Sequence, residues 1–206
     1  MQPSLRPKFS IVMTLFETQH FLPRAIACMM DQNYHNWELI LVSDGPAARE
    51  PYSPRRILRP LQKHFPANRI EYHELPRAEG CWGNVARAFG LERSEGDYIC
   101  WVNHDNLIYP DYLRSHVRNI QRRPGCLSVV DIQLWREVRY YGRFPRAYRC
   151  SRIDLLCYTL PVGTARDLDA FGPPTERLYA ADGRLFDAAA RILPIQHQHR
   201  IVGVHF

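Results

Sequence analysis

The sequence predicts an α/β protein: one domain built on a mixed, mainly parallel sheet flanked by helices. Three observations predict it. Apolar runs of strand length alternate with helical periodicity between Phe9 and Ile120, the pattern of a parallel sheet covered by helices. The run Tyr98-Ile99-Cys100-Trp101-Val102 ends abruptly in Asn103, His104 and Asp105, and open α/β sheets hold their ligands beyond the carboxyl ends of strands. The 206 residues are 46% hydrophobic and 12% aromatic, enough for one sizeable core and too apolar for disorder.

Taken in order, Phe9 to Met13 reads as a strand, and Phe21, Leu22, Ala25, Ile26, Met29 and Met30 fall on one helical face. Glu38 to Val42 is a second strand that ends in Ser43-Asp44-Gly45-Pro46, and Arg69 to His73 a third, reached through a Pro-rich connection. A helix over about Gly83 to Arg93 turns Val85, Ala88 and Phe89 inward and leads to the strand before Asp105. Tyr109-Pro110-Asp111 starts another, with Leu113, Val117 and Ile120 as its face, and Pro124-Gly125 stops it. Cys126 to Tyr141 reads as one long strand or two short ones, Asp182 to Ile192 as the last helix, and Arg200 to Phe206 as a closing strand.

Composition narrows the function classes. No run approaches the roughly eighteen apolar residues of a membrane-spanning helix, and Met1 to Lys8 lacks the apolar segment of a signal peptide, so the expected compartment is the cytoplasm. The six cysteines form no CxxC pair, and Cys28 and Cys100 lie in apolar runs, which suits reduced, buried thiols. The nine histidines include His197-Gln198-His199 but show no structural-zinc spacing. A net charge of +6 suits anionic partners. Arginines interleave with aromatics over 136–152, a pattern that holds membrane headgroups or RNA in some proteins and is more often a solvated loop. A solvated loop is the expectation, with peripheral association at the inner face of a membrane through this stretch as the alternative and no nucleic acid expected.

Asp105 carries most chemical information. A carboxylate at the end of a buried strand can grip a divalent cation, and that cation can neutralise a diphosphate.

The order of motifs resembles the family-2 glycosyltransferases, enzymes of the Rossmann-like GT-A fold that use nucleotide-sugar donors. Ser10-Ile11-Val12-Met13-Thr14-Leu15-Phe16-Glu17 is similar to the family's first strand, and Gln32-Asn33-Tyr34 and Trp37-Glu38-Leu39 to its Gln-x-Tyr and Phe/Trp-Glu-Leu signatures. Val42-Ser43-Asp44-Gly45 resembles Val-Asp-Asp-Gly, Ala86-Arg87-Ala88-Phe89-Gly90 resembles Ala-Arg-Asn-x-Gly, and Glu95-Gly96-Asp97-Tyr98-Ile99 resembles the entry to the metal strand. The match runs from about Phe9 to Pro110; many motifs in order make it specific where one alone is weak.

The resemblance implies a donor-binding half, 1–110, and an acceptor-binding and catalytic-base half, 111–206, of the same domain. In the first, Thr14, Phe16, Glu17, Asp44, Arg77, Asn103 and His104 are the implied nucleotide-sugar contacts: Asp44 accepts from a base N–H, Phe16 packs on the base, and Arg77 meets base or phosphates. Asp105, with His205 near the C-terminus, is implied to hold Mn²⁺ or Mg²⁺. Asn103 and His104 stand where the family has further acidic residues, so one carboxylate remains. In the second half Asp182 is the implied general base, with Asp187 or Glu176 next in line and Ala181 where the family often has Glu. Read as a plain sequence, Asp182 is equally a helix N-cap. Leu160 to Arg166, ahead of Phe171, is expected to shape the donor-sugar and acceptor end of the cleft.

The expected activity is transfer of a sugar from a nucleoside-diphosphate sugar, UDP-linked by preference, to a hydroxyl of a glycan or glycolipid, with inversion and metal assistance, as in polysaccharide biosynthesis. Two alternatives stay open. A sugar nucleotidyltransferase calls for a Gly-rich phosphate loop, which Thr14 to His20 lacks. A degenerate nucleotide- or polyanion-binding module is favoured by Asn103, His104 and Ala181. The sequence sets no oligomeric state.

Overall fold

A computed structural model describes residues 6–17, 19–46, 53–136, 139–144, 153–171 and 180–206. At its centre lies β1 (Phe9–Leu15), every residue of which is buried. It runs parallel to β2 (Trp37–Ser43) on one side and to β4 (Tyr98–Asn103) on the other. β3 (Ile70–Glu74) extends the parallel half beyond β2. Strands covered on both faces need apolar side chains at successive positions, which is why these segments read as continuous runs.

Helices cover this half. α1 (Leu22–Met30) has proline in its first turn, where the missing N–H costs nothing, and buries Leu22, Ala25, Ile26 and Met29. α2 (Pro54–His64) occupies the segment expected as a Pro-rich connection. Pro54 sits at its start and Pro60 inside it, but Leu58 and Leu61 are buried one turn apart. Burial of that face outweighs the interior proline, a tertiary effect that local propensity does not report. α3 (Asn84–Glu92) lies so close to β1 that a Cβ on Gly90 would fall 2.4 Å from Val12 Cγ1.

After β4 come β5 (Leu107–Ile108), α4 (Tyr112–Arg122), β6 (Leu127–Arg136) and β7 (Arg139–Phe144). The Cys126 to Tyr141 stretch is thus two antiparallel strands rather than one. β8 (Tyr158–Pro161) and α5 (Val162–Asp167) follow, then α6 (Ala181–Ile192) and β9 (Ile195–His205), which starts earlier than the expected closing strand. The sheet order is β3-β2-β1-β4-β8-β6-β9-β5, with β7 paired to β6 off that path. This is the mixed, mainly parallel sheet of one α/β domain.

β8 is the seam of the sheet: it pairs antiparallel with both β4 and β6. Leu160 is fully buried, and Arg166 on α5 donates to the carbonyls of Leu91, Glu92 and Ser94 at 3.1, 3.2 and 2.6 Å. The 160–166 segment, expected at the donor-sugar and acceptor end of the cleft, anchors the sheet and caps α3, whose last carbonyls lack partners in the helix.

Glu38 fastens the opposite ends of the strands. Its buried carboxylate accepts from Lys8 Nζ at 2.7 Å, Ser10 Oγ at 2.6 Å and the Glu95 amide at 2.6 Å. Burial pushes its pKa up, but these donors more than offset that and the carboxyl sits below its usual value. Cys28, Cys81, Cys100, Cys126 and Cys157 are free thiols, as expected for the first and third. Among the described residues no helix is long and apolar enough to cross a membrane. Most of the 136–152 stretch lies outside the described residues, as does Glu176.

Candidate functional site

The carboxyl ends of β1, β2 and β4 open into a cleft of about 410 Å³, lined by Thr14, Phe16, Glu17, Asp44, Gly80, Trp82, Gly83, Arg87, Asn103, His104 and Asp105. Parallel register brings them together, since Thr14 sits level with Val42 on one side and Asn103 on the other.

Asp44 is 5% exposed and its carboxylate accepts from the amides of Glu79 at 2.8 Å and Gly80 at 3.1 Å. It thereby fixes the loop that roofs the cleft, using one lone pair of each oxygen and leaving others for a ligand. Gly45 allows that loop its close approach: its φ is +94°, and a Cβ there would lie 2.7 Å from the Ala78 nitrogen. In the same loop Gly80, Cys81, Trp82 and Gly83 all have positive φ. For cysteine and tryptophan such a backbone costs of order 1 kcal/mol each, and strain of this kind collects at functional sites. Trp82 is 64% exposed and lines the cleft, as does Phe16 at 45%.

Asn103 holds the floor. Its Oδ1 accepts from Thr14 Oγ1 at 2.9 Å and from Arg87 Nη2 at 3.1 Å. Arg87 Nη1 also donates to the Trp82 carbonyl at 2.8 Å, so one guanidinium ties the roof to the floor. His104 is 5% exposed, with Nδ1 3.0 Å from the Thr14 carbonyl. Asp105 differs from its neighbours. Its backbone carbonyl accepts from Arg24, but its side-chain Oδ1 is buried with no hydrogen-bond partner. A buried carboxylate oxygen without a donor is costly unless a ligand completes it.

Behind Arg87 lies a second acidic group. Burial lowers the pKa of Arg87 while Asp154, Asp182, Tyr158 and Asp105 push it up. Asp182 lies in the first turn of α6, whose N-cap is Ala180 instead, and its Oδ1 accepts from the Gly183 amide at 2.8 Å. Burial, followed by the charge of Asp154, raises the Asp182 pKa above the usual carboxylate value. Asp154 caps the turn Leu155–Cys157 and stands 3.5 Å from His205 Nδ1.

The implied contacts thus divide. Thr14, Phe16, Glu17, Asp44, Asn103, His104 and Asp105 meet at the cleft; Asp182 and His205 stand outside its lining, joined to it through the charges around Arg87. Arg77 is turned away, its side chain 80% exposed and paired with Glu79 at 2.8 Å. Arg87 takes the place in the cleft that Arg77 was expected to fill. Its position within the Ala-Arg-Asn-x-Gly resemblance was the available signal. Trp82 and Asp154 gave none, because a lone Trp before a helix and an Asp before an apolar run read as ordinary turn residues.

Known proteins resemble this chain in sequence and in fold. The profile of a family described as glycosyl transferase family 2 matches residues 10–166. An uncharacterized glycosyltransferase of Haemophilus influenzae is 31% identical over 111 residues, 54% of this chain and 41% of that protein. The putative teichuronic acid biosynthesis glycosyltransferase TuaG of Bacillus subtilis is 23% identical over 129 residues, 63% of this chain and 48% of that one. The chain thus spans less than half the length of these curated relatives. Among solved structures, S. aureus TarS 1-349 superposes with TM-score 0.75 at 14% identity, covering 96% of this chain and 60% of that one. The mannosyltransferase PcManGT from Pyrobaculum calidifontis, in complex with GDP-Man and Mn²⁺, gives 0.72 at 15% identity, covering 100% and 59%.

Proposed function

The chain belongs to glycosyl transferase family 2, and from that premise we propose that it transfers a sugar from a nucleoside-diphosphate donor to an acceptor hydroxyl with inversion at the anomeric carbon. The observation that carries this reading is Asp105, which lines a cleft whose other walls suit a nucleotide and whose buried Oδ1 has no hydrogen-bond partner. The preference for a UDP-linked donor draws on TarS, solved with UDP and with UDP-GlcNAc. A glycan acceptor draws on the teichuronic acid assignment of TuaG.

In this reading Asp44 accepts from the base, and Phe16 and Trp82 pack against its faces or those of the sugar. Arg87 brings a fixed positive charge to the diphosphate. The residues present fit a divalent cation: Asp105 would hold it together with phosphate oxygens and water, and when bound it neutralises charge on the leaving diphosphate. Asp182 accepts the proton of the acceptor hydroxyl as that oxygen bonds to the anomeric carbon, and the bond from that carbon to the diphosphate oxygen breaks with its electrons leaving on the nucleoside diphosphate. Its raised pKa suits a base that must take up a proton. The halves 1–110 and 111–206 then divide donor binding from acceptor activation.

Donor turnover tests the reading. Incubated with UDP-sugars and Mn²⁺, the protein should slowly release UDP by hydrolysis even without acceptor. Pyrophosphate exchange instead would identify a nucleotidyltransferase, and tight UDP binding with neither reaction a binding module.

A further inference from the structure

β9 carries two histidines on the same side of the strand, and both lie against one buried carboxylate of β6. His197 Nε2 is 2.8 Å from Asp131 Oδ1, and His199 Nδ1 is 3.9 Å from Asp131 Oδ2. The two imidazole centroids are 3.8 Å apart, and the three ligating atoms all lie within 4.8 Å of one another. None of the three lines the cleft described above.

The backbone is built to bring them there. Parallel pairing of β6 with β9 runs regularly from Leu127↔Ile195 to Val130↔Gln198, then jumps to Asp131↔Ile201. His199 and Arg200 are therefore extra residues on β9 with none opposite them, a bulge that crowds His199 toward Asp131 beside His197. Asp131 is 1% exposed, and an acid so buried needs partners. In the structure it has His197 and the guanidinium of Arg143.

From this arrangement we infer that Asp131, His197 and His199 form a site for one first-row transition-metal ion of the zinc type, separate from the donor cleft. Two imidazoles and one carboxylate with an open fourth position are a zinc ligand set. Bonds of about 2.0–2.2 Å in tetrahedral geometry put ligand atoms about 3.3 Å apart, between the two separations seen. Closing the difference needs only a small opening of the His197 contact and a turn of the His199 ring, whose side chain is 77% exposed. Burial depresses the His197 pKa and so favours the neutral imidazole that ligates. Arg143, with a side chain 45% exposed, balances Asp131 without metal and can swing into solvent when the ion binds. The ion would pin β6 to β9 at their irregular step.

Zn²⁺ and Co²⁺ binding to untagged, metal-stripped protein tests the site, by titration calorimetry and by the visible absorption of Co²⁺. The expected result is one ion per chain, retained in Asp105→Ala and His205→Ala, weakened at least tenfold in His199→Ala and His197→Gln, with the intense Co²⁺ bands of low coordination. His199 is exposed, so its variant keeps the fold, which circular dichroism and an unchanged melting temperature without metal would verify. Unaltered affinity in His199→Ala, loss of the ion in Asp105→Ala or His205→Ala, or no tight binding by the unmodified protein would overturn the inference.

Discussion

At the residue scale, Asp182 couples stability to chemistry. Because its pKa is raised in the folded protein, its contribution to stability is full below its ordinary value of 3.8 and is lost as pH rises through the folded value. Asp182→Asn removes the charge that burial and Asp154 disfavour, so the variant should melt at or above the unmodified protein at neutral pH in a thermal scan. Its turnover should nonetheless fall by about a hundredfold, and the acidic limb of the pH–rate profile, lying above the ordinary Asp range, should vanish. Near-normal turnover in that variant would move the base to Asp154 or Asp187. Trp82 offers a different separation. Its ring is 64% exposed, so Trp82→Ala should leave the melting temperature nearly unchanged, while loss of one stacking face, worth about 1–3 kcal/mol, should weaken donor binding by about fivefold to a hundredfold in calorimetry.

At the element scale, the two ends of the parallel strands do different work. Around Glu38 they are fixed by buried charge, with Lys8 and Arg69 on the same carboxylate. Glu38→Ala leaves those cations facing a void and should cost about 3 kcal/mol in chemical denaturation, the scale for breaking a buried pair. With its pKa lowered on folding, Glu38 contributes stability above its ordinary value of 4.5 that is lost as pH falls through the folded value. Glu38→Gln should therefore flatten the acid side of the stability profile, and an unchanged profile would show that the network contributes nothing. β1, β2 and β4 were legible because both faces are buried and the apolar run and the element coincide, and β3 was legible within a residue although it is only half-buried. α2 was hidden by its prolines, and β8 by being a short seam whose apolar residues continue without a break into α5.

At the scale of the whole molecule, the cleft at the strand ends was legible and the grouping of Asp154, Asp182 and His205 was not, for a physical reason. Thr14, Asp44 and Asp105 end parallel strands, so one topological rule places them together. Arg77 sits on a loop, where sequence does not say which way a side chain turns, and it turns outward. Asp154, Asp182 and His205 are brought near one another by β8, α6 and β9 from distant parts of the chain, and no local pattern reports such a meeting. For metal-assisted transfer, Asp105 has to present its carboxylate to a ligand in that cleft. Calorimetric titration of UDP with and without Mn²⁺, into the unmodified protein and into Asp105→Ala, tests this most directly. Mn²⁺ should tighten UDP binding severalfold or more in the unmodified protein and leave it unchanged in Asp105→Ala, with metal-free binding retained in both; equal enhancement by Mn²⁺ in the two proteins would contradict it.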